Sequence, residues 1–234
     1  MSPSLEDICA VTFDVGGTLI EPWPSVGHVY AEVAARFGIS GVAPEALNRQ
    51  FAAAWRARHD FDYSRAGWQE LVRQTFAGLC RDAPRQDCFE AIYEHFATGA
   101  SWRLFDDVLP ALEELKARGL KLAVISNWDE RLRPLLRDLR LDIHFDTFAI
   151  SHETGCTKPA KEIFRHAVME LDVPPACILH VGDSADEDVT GARAAGINAA
   201  LLNRKAAQSS STVISSLSWL VEALDKRPSH TPSD

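Results

Sequence analysis

The chain has 234 residues, 46% hydrophobic and 24% charged, which is long enough for one α/β domain with an insertion and apolar enough to fill its core. Its formal net charge of -9, with no offsetting Lys/Arg run, excludes nucleic acid and anionic membrane as partners, so a small anionic substrate needs local cations. No apolar run reaches the roughly eighteen residues that cross a bilayer, and MSPSLEDICAVTF lacks the basic-then-apolar pattern of a signal peptide.

The five cysteines, Cys9, Cys80, Cys88, Cys156 and Cys177, are odd in number and never spaced C-x-x-C, which argues against a disulfide framework or a zinc knuckle. A reducing cytoplasm is the expected location. In chain order, the β-branched and aromatic run ICAVTF predicts a buried strand from Ile8 to Phe13 that stops at the turn Asp14-Val15-Gly16-Gly17. After EPWP, four stretches space their apolar residues by three and four and predict helices: HVYAEVAARFGI, PEALNRQFAAAWRARH, AGWQELVRQTFAGLC and DCFEAIYEHFA. No strand interrupts them.

Beyond SWRLFDDV the texture alternates. LPALEELKARG, DERLRPLLRDL, AKEIFRHAVMEL and EDVTGARAAG predict helices, and LKLAVIS, FDTFAIS, CILHVGD and INAALL predict the strands between them, with VISSLSWLVEAL as a closing helix. The expected fold class is α/β: a Rossmann-like, doubly wound parallel sheet with an inserted all-helical cap. The core takes residues 1–21 and 103–225, the cap 22–102, and 226–234 forms a disordered tail.

Open parallel sheets bind ligands beyond the carboxyl ends of their strands, and here each such end carries chemistry. The first strand delivers Asp14 and the second Ser126 with Asn127, both candidate substrate contacts. Lys158 follows the third in SHETGCTKP, where Pro159 blocks helical continuation, and the fourth delivers Asp183, with Asp188 five residues on. Singly each has an ordinary reading: an Asx turn, a helix N-cap, a solvated loop charge, an acid-rich helix start. Together they suggest phosphoryl transfer. Carboxylates converging on one point repel unless a divalent cation sits among them, and hard oxygen donors favour Mg²⁺. Lys158 would neutralise phosphoryl oxygens, Ser126 would donate to one, and Asp14 could attack phosphorus.

In this order, FDVGGTLI, VISNWDER, TGCTKPAKEIF and HVGDSADEDVTGARAAG resemble the four motifs of the haloacid dehalogenase superfamily of hydrolases, in the branch whose helical cap follows the first motif. The resemblance spans Ile8 to about Leu202. It implies that Asp14 is a covalent nucleophile and metal ligand, that the Gly16 carbonyl is another ligand, and that Asp183 binds Mg²⁺ with Asp188 supporting the metal shell. It further implies that Ser126 and Lys158 hold the phosphoryl group of a small phosphorylated substrate, and that the cap selects that substrate.

The family's phosphatases usually carry a second aspartate where this chain has Gly16, so general acid/base help, typically worth about 10²–10⁴-fold, is missing. One reading is a phosphatase specialised for leaving groups that need little protonation. The alternatives are a non-catalytic binding protein of the same fold, or another hydrolytic reaction such as dehalogenation. A Schiff-base mechanism needs a cap lysine, but the first lysine in the chain is Lys116. In the cap, WRARHDFDYSRAGW places Arg56, Arg58, His59 and Arg65 around a helix break, where Arg58 and Arg65 are candidates to grip a substrate's distal acid group. Trp55, Trp68, Phe51 and Phe76 are expected as packing, and His180 as a satisfied core histidine.

Overall fold

The computed structural model describes residues 7–58, 61–81 and 83–225. His59 and the 226–234 segment lie outside the described residues. In chain order the strands are β1 (Ala10–Phe13), β2 (Ile20–Pro22), β3 (Trp102–Leu104), β4 (Lys121–Ser126), β5 (Thr147–Ile150), β6 (Ile178–Gly182), β7 (Asn198–Leu202) and β8 (Val213–Ile214). The α-helices are α1 (Val26–Ala35), α2 (Pro44–Ala57), α3 (Arg65–Phe76), α4 (Gln86–His95), α5 (Val108–Ala117), α6 (Leu132–Asp138), α7 (Ser151–Thr154), α8 (Lys161–Leu171), α9 (Gly191–Ala194) and α10 (Leu217–Asp225). Ile20–Leu104 together with Trp128–Asp142 form one compact unit, and the remaining described residues form another.

The second of these units is a six-stranded parallel sheet in the order β5-β4-β1-β6-β7-β8. Strands AVTF and ILHVG are buried along their whole length, as parallel strands covered on both faces must be, which is why they read as continuous apolar runs. β1 lies at the centre, pairing Ala10 with Lys121 of β4 and with Ile178 of β6. The chain adds β4 and β5 on one side of β1 and then crosses to the other for β6, β7 and β8. The direction of winding therefore reverses at β1, and the carboxyl ends of β1, β4 and β6 border the crevice this creates. On one face Ile125, Ala149, Ile163, Phe164, Ala167 and Ala192 form a buried cluster.

Helices α1 to α4 form the core of the other unit. Ser25 and Ser64 cap α1 and α3 by accepting from the N–H groups of His28 (3.3 Å) and Gly67 (3.0 Å). Tyr30 stacks on Phe76 at 5.9 Å, and Trp55 stacks between Phe51 and Trp68, so these aromatics pack against one another. Residues 128–142, grouped with the sheet by sequence pattern alone, belong to this helical unit because their polar and aromatic groups are satisfied there. The Arg131 guanidinium donates to the Tyr93 carbonyl at 3.0 Å, the Gly99 N–H donates to Asp138 at 2.6 Å, and Trp128 packs on Trp102 at 5.2 Å.

Two further differences concern short strands. β2 and β3 pair antiparallel, Ile20 with Leu104 and Pro22 with Trp102, where the sequence shows only a proline-punctuated exit and a change of texture. Three-residue strands are too short to display a period. Val213 and Ile214, read as the start of the closing helix, instead extend the sheet beside Leu201 and Leu202, and α10 begins at Leu217, whose N–H donates to Asp107 at 2.8 Å.

Phe164 is fully buried and meets the His180 ring edge-on at 5.2 Å. Phe164→Ala is expected to destabilise the protein by about 3–5 kcal/mol, read as a lower urea midpoint with an unchanged slope.

Candidate functional site

Asp14 is the first residue beyond β1, and its N–H donates to the Val181 carbonyl of β6 at 3.0 Å, which holds it at the carboxyl end of the sheet. Ser126 ends β4 and donates from its hydroxyl to Asp14 Oδ1 at 3.0 Å. Lys158 reaches the same place from the loop after α7. Its Nζ donates to Asp14 Oδ1 and to Asp188 Oδ1, both at 2.6 Å, and its side chain is only 1% exposed. Ligand oxygens of Asp14, Asp183 and Asp188 lie within 4.8 Å of one another. Segments distant in the sequence thus bring Asp14, Ser126, Lys158, Asp183 and Asp188 together.

The local sequence makes room for these acids. Gly17 has φ +78°, a conformation that L side chains rarely adopt, and a Cβ there would fall on the Asp183 carboxylate. A Cβ on Gly182 would overlap the Asp188 carboxylate. Gly16 stands between Asp14 and Gly17 in this turn, so its position contributes backbone alone. After Ser184 the chain enters a wide π-helical turn at Ala185–Thr190, where EDVTGARAAG predicts an ordinary helix. The Ser184 carbonyl accepts from both Asp188 (3.1 Å) and Val189 (3.3 Å), and the Ser184 N–H donates to Asp188 Oδ2 at 2.9 Å, which fixes the carboxylate against the end of β6.

Asn127, a candidate substrate contact, is hydrogen-bonded to Lys158. Its Oδ1 accepts from the Lys158 N–H at 2.7 Å, and its Nδ2 donates to the Lys158 carbonyl at 3.0 Å and to Glu187 at 3.1 Å. The side-chain amide therefore grips the peptide groups on both sides of the lysine and fixes the approach of its ammonium.

His180 is buried and hydrogen-bonded, as a core histidine should be, but its partners connect it to the site. Nδ1 pairs with the Thr12 hydroxyl at 2.9 Å and Nε2 with Asp188 Oδ1 at 3.1 Å. With Thr12 donating to Nδ1, Nε2 carries the proton toward Asp188. Thr12 has no motif to mark it. The available signal was a polar residue inside an apolar strand, directly opposite His180 in the β1–β6 register.

Arg58 and Arg65 lie in the helical unit and are engaged there. The Arg58 guanidinium sits 3.6 Å over the Trp55 ring and donates to the Trp55 carbonyl at 2.5 Å. Arg65 ion-pairs with Glu90 and with Glu94 (3.2 Å) and covers the Tyr93 ring at 4.3 Å.

The electrostatics of the acid cluster are unbalanced. Burial pushes the Asp14 carboxyl up, the Lys158 charge pulls it down, and the Asp188 charge raises it again, for a net upward shift. Loss of solvent around Asp183, followed by the charges of Asp14 and Asp188, pushes its carboxyl up to about 7, although its outer side is exposed. Burial alone would raise Asp188, but Lys158 and His180 overcome it and hold the group well below the usual carboxylate range. Burial would lower Lys158, but Asp14 and Asp188 hold it protonated. Two of the three carboxylates thus share one ammonium, and among the described residues Asp183 has no ion pair. An oxygen-only donor set with surplus negative charge fits a hard divalent cation.

A doubly wound α/β sheet with a helical insertion and acids gathered at its switch point defines a class of hydrolase folds, and comparison with known proteins identifies which. The family model for haloacid dehalogenase-like hydrolases matches residues 8–196. The mouse haloacid dehalogenase-like hydrolase domain-containing protein 3 is 34% identical over 95% of this chain and 96% of its own length. The chain therefore belongs to the haloacid dehalogenase-like hydrolase family.

Two solved structures share its fold. The putative HAD-hydrolase YfnB from Bacillus subtilis bound to magnesium matches with a TM-score of 0.74 at 20% identity, over 93% of this chain and 99% of that one. The L-2-haloacid dehalogenase from Xanthobacter autotrophicus with chloropropionic acid covalently bound matches with a TM-score of 0.72 at 20% identity, over 94% and 99%.

Because burial and the charges of Asp14 and Asp188 push the Asp183 carboxyl up to about 7, a divalent cation would displace its proton below that pH. Calorimetry in buffers of different ionisation enthalpy should show proton release on cation binding at pH 6 that vanishes by pH 8.5, with apparent affinity rising as pH rises through about 7.

Proposed function

We propose that the protein is a Mg²⁺-dependent phosphatase that acts on a small phosphorylated metabolite through an aspartyl-phosphate at Asp14, and that Gly16 restricts it to leaving groups needing little protonation. The observation that carries this reading is the shared ammonium of Lys158, 2.6 Å from both Asp14 and Asp188, beside a third acid within 4.8 Å. Asp14, Asp183 and Asp188, with the Gly16 carbonyl, would hold Mg²⁺, which when bound neutralises charge on the phosphoryl oxygens.

Asp14 supplies the attacking carboxylate oxygen: its bond to phosphorus forms as the bond to the leaving oxygen breaks. Lys158 draws that carboxyl toward its ionised form and offers its protons to the incoming phosphoryl group, and the Ser126 hydroxyl can turn from Asp14 to a phosphoryl oxygen. Asn127, Thr12 and His180 position these groups without touching the substrate. Water then attacks the acyl phosphate and releases inorganic phosphate.

Gly16 brings no side chain to either step, so the departing oxygen leaves as its own anion or takes a proton from the substrate. Alkoxides leave poorly on those terms, whereas carboxylates and phenolates leave well. The ion pairs of Arg65 with Glu90 and Glu94 support a structural part for it, and the stacking of Arg58 on Trp55 does the same, so neither is assigned to the substrate.

The absence of an acid at Gly16 also favours a second reading, a protein that binds phosphorylated ligands without turning them over. The reaction itself separates the two. Phosphate release from acetyl phosphate and p-nitrophenyl phosphate with Mg²⁺ should far exceed that of Asp14→Asn, whereas equal rates would leave only the binding role. Gly16→Asp should raise turnover of alkyl phosphates by about 10²-fold while changing acetyl phosphate turnover little. An unchanged rate on alkyl phosphates would show that the missing acid is not what limits them.

A further inference from the structure

The five cysteines look scattered in the sequence, but the fold brings two of them together at the amino-terminal ends of adjacent strands, at the end of the sheet opposite Asp14 and Asp183. The Cys9 N–H donates to the Cys177 carbonyl at 2.8 Å. Cys9 directly precedes Ala10, and Cys177 closes the short 3-10 turn that leads into Ile178, the residue that Ala10 pairs with in the β1–β6 register, so the main-chain bond between the cysteines extends that pairing by one step. Cys9 is exposed and Cys177 half-buried, and both thiols are free. Neighbouring strands lie about 4.8 Å apart, inside the window of about 4.4–6.8 Å between Cα atoms that a disulfide spans. The side chains are themselves in contact: after burial, the charge of Cys9 and its hydrogen bond push the Cys177 thiol up.

We propose that Cys9 and Cys177 form a peroxide-sensitive dithiol that oxidises to a disulfide stapling β1 to β6. The exposed Cys9 thiolate attacks a peroxide oxygen: an S–O bond forms, the O–O bond breaks, and hydroxide or alkoxide departs, leaving a sulfenic acid. The Cys177 sulfur then attacks the Cys9 sulfur, the S–S bond forms, and the sulfenic oxygen leaves as water with the Cys177 proton. The two sulfurs together give up two electrons, and the two peroxide oxygens take them. Cys9 is the exposed thiol and Cys177 the half-buried one, which assigns the first step to Cys9 and the closing step to Cys177.

The bridge would link the chain ahead of the helical insertion to the strand that follows it, closing a long loop, so it acts through stability more than through the site's geometry. This proposal is independent of the phosphatase reading.

The experiment is oxidation of the full chain with hydrogen peroxide, followed by alkylation of the remaining thiols and peptide mapping. The expected result is a Cys9 peptide joined to a Cys177 peptide and lighter by two hydrogens. Thermal unfolding of the oxidised protein should rise by about 5 °C or more and return to its starting value with dithiothreitol. Cys9→Ser should remove both the link and the shift, and Cys177→Ser should leave Cys9 as a sulfenic acid that dimedone traps. Cys9 recovered unmodified, overoxidised without a link, or joined to any thiol other than Cys177 overturns the proposal.

Discussion

One buried ammonium organises the carboxyl edge of this sheet. Lys158, almost without solvent, stands 2.6 Å from carboxylates belonging to two different strand ends. Asp14 and Asp188 would repel each other without it, and its own charge could not be buried without them. Such an arrangement is stable only as a set: removing one partner leaves an uncompensated charge in a low-dielectric setting, a change that typically costs about 3–5 kcal/mol.

The surrounding residues make sense as devices that keep this set in place. Asn127 clamps the peptide groups flanking Lys158, so the lysine approaches from a fixed direction. The hydroxyl of Thr12 selects one tautomer of His180, which then donates to the Asp188 oxygen that Lys158 also uses. Gly17 and Gly182 leave space where any side chain would collide with Asp183 or Asp188. Each of these residues bears on where the acids stand and how strongly they hold protons.

Even so, the set remains negatively charged. Two acids share Lys158, the third has its carboxyl pushed up to about 7, and all three present oxygen atoms to one point. That surplus, more than the fold, argues for a divalent cation, because the same fold is found in the HAD-hydrolase YfnB bound to magnesium and in an L-2-haloacid dehalogenase with chloropropionic acid covalently bound. In the proposed phosphatase reaction, Gly16 would leave the charge-balancing parts of the site untouched while supplying no proton to a departing group.

Much of this was legible in the amino-acid sequence. Apolar runs that stop at Asp14, Ser126 and Asp183 reveal parallel strands and their functional ends, since a strand buried on both faces is mostly apolar and most of its chemistry gathers where it stops. The helical block is legible for a similar reason, because its apolar residues recur with the period of a helix. Tertiary structure decided what local pattern cannot carry. The β2–β3 pair joins three-residue strands from opposite ends of the insertion, and residues 128–142 group with the helices through individual hydrogen bonds and ring contacts. Asn127 grips the backbone at Lys158, Thr12 and His180 looked like core yet connect to Asp188, and Cys9 and Cys177 looked unrelated. In each case the deciding partner lies far away along the chain, and a sequence records which groups are available but not which of them the packed sheet sets side by side.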